Sequence, residues 1–432
     1  MTIDLGSSKS KIVVQESGSN FLKVLLMDAQ IADVGKKSLQ SVPSEGLASE
    51  RSWVGFNASE NNEAEKEYYA VGSLARDCFG GLSQLHELKY ELALPKILAA
   101  VWLAMDELSL PARFNLNLAV LLPSGEVSDK DILKSRLASC LKDFDTPSGR
   151  MKIKLKGFQA SPEGSGIYFS RVNALGDELN SKNIICAMLG FRNSSAFTIR
   201  AGVSKPGNSK DFGMHWLLQK LSHQISGLDV ENPDTIQIIA ESAKNSEILK
   251  KLSRKSSPAD IESDYQSISE AINNVKEEYS RVIVRWLKSL GTTDEIIFCG
   301  GTAEYLRPEL ENYGATDSTQ IVWHGGVSVP DEFEALLGSS RLADVWAFHA
   351  KFMDSINSHN AKLKNSTVNS SFADTLANAS QQQSSTTDDK QKAKKPYKSV
   401  VPGIKPNIKP DAKTNYNKHT ERPSDTVPPI GN

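Results

Sequence analysis

The stretch that most constrains this chain is its opening, MTIDLGSSKSKIVV. Ile3 and Asp4 lead into Gly6, Ser7 and Ser8, and the chain returns through Ile12, Val13 and Val14. Two short apolar runs joined by small residues read as a β-hairpin. Its turn has the chemistry a phosphate needs. Gly6 allows close backbone approach, and successive backbone N–H groups with the Ser7 and Ser8 hydroxyls can face an anion. Lys11 adds a positive charge. Asp4 adds a carboxylate able to order a hydrated Mg²⁺, which keeps most of its waters in such sites. Only three residues precede Asp4, where a strand deep in a sheet has about five or six, so either this strand is short or the start lies upstream.

The same device recurs about 185 residues later. Ile184 to Leu189 is an apolar run suited to a central strand. It breaks at Gly190-Phe191-Arg192-Asn193-Ser194-Ser195, and Ala196 to Ala201 resumes as a strand. Two like halves that each present a hairpin turn to a shared cleft would clamp a polyphosphate. A third turn follows the strand Glu295 to Cys299: Gly300-Gly301-Thr302-Ala303, then a helix through Leu306 and Leu310. Glycines let flat rings or a ribose lie on bare backbone, and a helix N-terminus favours negative charge. Glu163, between Pro162 and Gly164, sits in a sharp loop; taken alone it is an ordinary exposed glutamate.

Between these turns the periodicity is that of an α/β protein. Helices are expected over Leu88 to Leu108, with Pro95 in the first turn, then over Asp129 to Leu141 and Met214 to Ile225. The clearest runs from Asp260 to Leu287, with Ser257 as its cap and Pro258 at its first position. Strands are expected at Phe21 to Met27, Leu116 to Leu122 and Met151 to Phe158, and a closing helix over Asp331 to Ile356.

Composition bounds the rest. At 432 residues two domains are the natural expectation, and 39% hydrophobic content supplies sizeable cores. No run approaches the roughly 18–20 apolar residues of a membrane span, and no signal peptide opens the chain. Cys78, Cys140, Cys186 and Cys299 are scattered, without metal spacing, and read as small buried hydrophobes in a reducing, cytoplasmic setting. Charge is uneven. Residues 361–432 carry twelve Lys or Arg against six Asp or Glu, so the net −2 of the whole leaves −8 on the body. Within that tail Lys390 to Lys418 holds nine lysines and one acid, Asp411. Prolines and runs of Gln, Ser, Asn and Thr leave too few apolar residues to offset chain entropy, so 359–432 reads as a disordered basic tail. It suits an anionic partner such as DNA, a membrane surface or an acidic protein, or serves only as a solubilising arm.

Asp4-x-Gly6-x-x-x-x-Lys11, Pro162-Glu163-Gly164, the Gly190 hairpin and Ile297-Phe298-Cys299-Gly300-Gly301-x-Ala303-x-x-Leu306 resemble, in order and spacing, the actin-like ATPases. The layout is most like the bacterial plasmid-partition actins of the ParM type, over about residues 1–357. The resemblance implies a two-domain, RNase H-like α/β fold around an interdomain cleft that binds ATP and Mg²⁺. Domain I would take 1–172 with 326–358 returning to it, and domain II 173–325. It implies phosphate contacts from Gly6, Ser7, Ser8 and Lys11 and a water-ordered Mg²⁺ at Asp4. Glu163 would align the attacking water, and Gly300, Gly301 and Thr302 would hold the adenosine. Gly190, Arg192 and Asn193 form the second phosphate turn. One departure stands out. Met188 occupies the place where the second hairpin of these ATPases has an Asp, and a thioether cannot hold a metal-bound water. Either Arg192 and Asn193 rebuild the turn around phosphate, or hydrolysis is slow. The expected function is a filament-forming ATPase in plasmid or DNA segregation, working with itself and a DNA-binding adaptor, or a cytoskeletal element. A nucleotide-binding scaffold without turnover and a small-molecule kinase of the same superfamily are the alternatives.

Overall fold

Two sheets carry the architecture. The computed structural model describes residues 1–359 apart from 20, 43–44, 58–65, 83–88 and 206. The basic segment Lys390 to Lys418, and the disorder expected of the tail beyond 359, lie outside the described residues. All described residues fall within one compact unit.

The first sheet contains β1 (Thr2–Leu5), β2 (Lys9–Gln15), β3 (Leu22–Asp28), β4 (Ile31–Asp33), β5 (Trp53–Phe56), β6 (Glu67–Val71), β7 (Arg113–Leu122), β8 (Phe144–Thr146) and β9 (Gly149–Pro162). They lie in the order β3-β2-β1-β7-β9-β8-β5-β6-β4. β1 pairs antiparallel with β2 and parallel with β7, and β7 runs parallel to β9. The opening strand is therefore short, at four residues, yet flanked on both sides.

The second sheet contains β10 (Ile184–Leu189), β11 (Ser194–Arg200), β12 (Val203–Ser204), β13 (Asn208–Lys210), β14 (Glu295–Cys299) and β15 (Gln320–Trp323). Its order is β12-β11-β10-β14-β15, with β13 also on β11. β10, β14 and β15 are mutually parallel. Ser194 and Ser195, expected in the turn, are instead buried strand residues, so the second turn is only 190–193.

The helices are α1 (Ser73–Phe79), α2 (Lys89–Glu107), α3 (Lys130–Cys140), α4 (Ser165–Leu175), α5 (Met214–Ser222), α6 (Pro233–Glu241), α7 (Pro258–Ser289), α8 (Gly301–Tyr305), α9 (Arg307–Asp317), α10 (Asp331–Leu337) and α11 (339–359). Ala93, Leu94, Ile97, Leu98, Val101 and Trp102 of α2 bury one face of the first sheet. Leu342, Val345, Phe348 and Phe352 of α11 cover the other, against Val13, Val24, Ala119 and Leu121. α5 and α7 close one face of the second sheet. α4 closes the other through Ile167 against Ile184, Cys186, Ile199 and Ile297. Burying each large side chain of this kind contributes about 1.5–3 kcal/mol. The Ser257 side chain accepts the Asp260 N–H at 3.2 Å and Pro258 takes the first turn of α7, as the sequence implies.

Four further expectations need correction. Pro95 lies inside α2 rather than in its first turn. The Pro penalty of about 3 kcal/mol is outweighed by the burial of its neighbours on both sides. The helix after Gly301 is broken at Leu306 into α8 and α9. The closing helix is likewise two helices, interrupted at Gly338, whose φ of +85° lies in the left-handed region. Apolar periodicity continues across that break, so the pattern alone conceals it. Finally, Cys78 is exposed, while the other three cysteines are buried. Among the described residues no helix is long and apolar enough to cross a membrane.

Candidate functional site

Ligands of open α/β sheets sit beyond the carboxyl ends of the parallel strands. Gly6 follows β1, Glu163 follows β9, Gly190 follows β10, Gly300 follows β14 and His324 follows β15. All of them line one cavity of about 640 Å³, within the roughly 300–1,000 Å³ typical of small-molecule sites. Asp4, Gly6, Ser7, Ser8, Lys11, Glu163, Gly190, Arg192, Asn193, Gly300, Gly301 and Thr302 all border it. The candidates drawn from four separate stretches of sequence thus converge.

The first hairpin is built around a cross-strand pair. Asp4 and Lys11 are register partners, and Lys11 Nζ donates to Asp4 Oδ2 at 2.6 Å. A Cβ on Gly6 would lie 2.5 Å from the Lys9 carbonyl oxygen, so the turn has no room for a side chain.

The second hairpin closes with the Gly190 N–H donating to the Asn193 carbonyl at 3.0 Å. At the start of α5, the Met214 N–H donates to the Gly190 carbonyl and the His215 N–H to the Phe191 carbonyl. Thr302 Oγ1 donates to that same Gly190 carbonyl at 2.8 Å, tying the Gly-Gly corner to the hairpin. Gly300 has φ +101°, and a Cβ there would lie 2.2 Å from the Leu189 carbonyl oxygen. Its N–H donates to the Ser340 carbonyl at 2.9 Å, which joins the corner to α11.

Glu163 leaves β9 with its N–H donating to the Leu122 carbonyl at 2.8 Å and is half-buried rather than at an exposed loop tip. Gly164 follows at φ +89°, with the Phe197 ring 2.9 Å from where a Cβ would stand. The turn is held from a distance. The Asp344 carboxylate accepts the N–H of Gly164 at 2.7 Å, of Gly166 at 2.8 Å and of Ile167 at 3.3 Å. Asp344 is 5% exposed. Burial pushes its pKa up to about 7, with the nearby Asp4 charge adding and the three N–H donors opposing.

Arg341, one turn before Asp344, donates from Nη2 to Ser8 Oγ at 2.8 Å. Its Cδ would be 3.2 Å from a Cβ on Gly301. Burial lowers its pKa and Asp4 raises it. At the far end His324 has a left-handed φ of +56° and lies 3.8 Å from Glu304, its pKa lowered by burial. The sequence reading missed Arg341, Asp344 and His324. The available signal was two charges three apart within an otherwise apolar stretch, Leu342, Val345 and Phe348.

Met188 is the departure made visible. It packs with Ile167, Tyr168 and Phe197, and its Cγ lies 3.4 Å from a Cβ built on Gly164. Its side chain lines the cavity as well, and a thioether is no ligand for a hydrated ion. Among the described residues no group of three or more His, Cys, Asp or Glu side chains could hold a metal. Asp4 pairs with Lys11 and Asp344 serves three N–H groups. The residues present do not fit the two-aspartate Mg²⁺ site that the resemblance implies.

No family model matches the chain, and no curated protein matches it in sequence. Solved structures do. The fold is similar to ParM of Bacillus thuringiensis with AMPPNP, at 13% identity over 82% of this chain and 98% of that one, TM-score 0.53. It is also similar to the subunit of a 15-stranded ParM filament from Clostridium botulinum, at 15% identity, 82% and 99% coverage and TM-score 0.52. An archaeal actin homologue, Ta0583, is similar at 14% identity, 82% and 98% coverage and TM-score 0.53. What is shared at such identities is architecture. The chain has the actin-like fold, of the ParM type.

Proposed function

We propose that this chain binds ATP in the cavity and assembles with copies of itself into filaments whose lifetime is set by slow hydrolysis. The observation that carries the reading is the convergence of two hairpin turns, Glu163 and the Gly-Gly corner on one cavity. ParM neighbours with ATP, ADP and AMPPNP, and one in a filament, support it by analogy of fold. Gly6, Ser7, Ser8 and Lys11 would hold phosphates from one side, and Gly190, Arg192 and Asn193 from the other. Gly300, Gly301 and Thr302 would carry the adenosine, and Glu163 would align water. Asp4, paired with Lys11, would hold that lysine in place beside the phosphates. Catalysis by the chain's own residues is then positioning and electrostatic stabilisation. The division into domain I (1–172 with 326–358) and domain II (173–325) is part of this proposal. So are a cytoplasmic location, a role in plasmid or DNA segregation, and recruitment of DNA or an adaptor through the basic tail.

Sedimentation with ATP, with ADP and without nucleotide tests the core of it. ATP-dependent pelleting is expected, and equal pelleting in all three would overturn the reading. Asp4→Ala and Lys11→Ala should each weaken ATP binding about tenfold to a hundredfold, the worth of a charge-assisted contact. Equilibrium titration of both folded variants checks this, and unchanged affinity in both would remove the hairpin from the site.

Met188 favours a second reading, a nucleotide-binding scaffold that assembles without turnover. Phosphate release measured alongside light scattering separates the two. Transfer of phosphate from ATP to a panel of sugars would instead show the kinase of the same superfamily.

A further inference from the structure

We infer that Arg341 is a phosphate-binding cation of this cleft and makes nucleotide binding largely independent of a divalent metal ion. The inference rests on the nucleotide reading above and goes beyond it.

Three observations carry it. The first is place. Arg341 spans from Ser8 of the first hairpin to Gly301 of the Gly-Gly corner, and lines the same cavity. A phosphate chain bound by the hairpin and leading to a nucleoside at the corner would pass its guanidinium. The second is charge. Among the described residues the charged neighbour acting on Arg341 is Asp4, whose own ion pair is with Lys11. Two half-buried cations that share one carboxylate leave the group net positive, and an anionic ligand supplies the missing counter-charge. The third is Met188. Where the resemblance implies a second metal-orienting aspartate, this cleft has an apolar side chain packed among Ile167, Tyr168 and Phe197.

Relative to a two-aspartate site the cleft lacks one negative charge, and Arg341 places a positive charge where the phosphates would pass. Both changes favour a bare polyphosphate over its metal complex. A guanidinium can also do geometrically what a bridging ion does, since its planar fork contacts two phosphate oxygens at once. The bond to Ser8 supports this. Arg341 donates to the hydroxyl oxygen, which leaves the hydroxyl proton available to an anion.

The test is titration of the full chain with ATP and ADP, in excess Mg²⁺ and in excess EDTA. The unchanged protein should bind less than about tenfold more weakly in EDTA. Arg341→Gln should bind about tenfold to a hundredfold more weakly than the unchanged protein in EDTA, with a smaller loss in Mg²⁺. Arg341→Lys, which keeps the charge without the fork, should fall between them. A loss of about a thousandfold or more for the unchanged protein in EDTA overturns the inference, and that comparison needs no variant to fold. Equal binding by folded Arg341→Gln and the unchanged protein in EDTA overturns it as well. Binding in Mg²⁺ that vanishes in EDTA leaves the nucleotide reading standing. No binding in either buffer removes both.

Discussion

Glu163→Ala is expected to release phosphate from ATP about a hundredfold more slowly than the unchanged chain, the low end for loss of a group that positions or activates a nucleophile. Its affinity for ATP should barely change. The asymmetry follows from where the residue sits. Glu163 stands at the carboxyl end of β9, at the mouth of the turn into α4, while the groups proposed to contact phosphate lie on the two hairpins and at Arg341. A side chain that only aligns water acts in the transition state, so its loss lowers turnover without loosening the ground state. Filaments of the variant should persist longer after ATP is added. Phosphate release and ATP titration on the same preparation check the prediction. Equal turnover would remove Glu163 from the chemistry. Equal loss of turnover and affinity would make it a binding residue instead.

Asp344→Ala is expected to destabilise the fold by about 3–5 kcal/mol, because three buried N–H donors lose their acceptor at once. Those donors belong to Gly164, Gly166 and Ile167, the residues that shape the turn behind Glu163. Urea denaturation reads the loss, and a change under about 0.5 kcal/mol, that of an ordinary surface substitution, would count against the clasp. The pH dependence has a definite sign. An unfolded chain releases the Asp344 proton near 3.8, and the folded chain holds it until about 7. The stability linked to that proton is fully present below 3.8 and is lost as pH rises through 7, on the order of 4 kcal/mol in all. Asp344→Asn cannot titrate. Its stability should therefore fall less between pH 4 and 8 than that of the unchanged chain, and parallel curves for the two would show that Asp344 titrates normally.

What could be read from sequence was local. Gly6 announces itself because a Cβ there would collide with the Lys9 carbonyl three residues on, and glycine is what such a turn requires. Ser257 and Pro258 mark a helix start by chemistry confined to four residues. β10 and β14 were bounded correctly because a buried parallel strand is a short apolar run that polar residues end abruptly. The failures have the opposite character. Pro95 obeys a local preference that the burial of Ile97, Leu98 and Trp102 overrides. Gly338 interrupts a helix whose apolar rhythm runs on undisturbed. Arg341 reaches Ser8 across 333 residues, and Asp344 reaches Gly164 across 180. No spacing rule sees such a pair until the sheets have brought α11 over both turns.

The convergence of five parallel strand ends on one cavity has a further consequence, for how far such a chain can drift. The residues that would touch a ligand sit in turns or at the ends of elements beside them, where a few backbone positions and polar groups do the work. The strands behind need only be apolar and of about the right volume, and cores of that kind accept wholesale replacement. Most of the alphabet can therefore be rewritten while the mouth of the cleft stays put. Sequence likeness then fades while the architecture stays the same. The architecture of a protein built this way is recorded in where its strands stop.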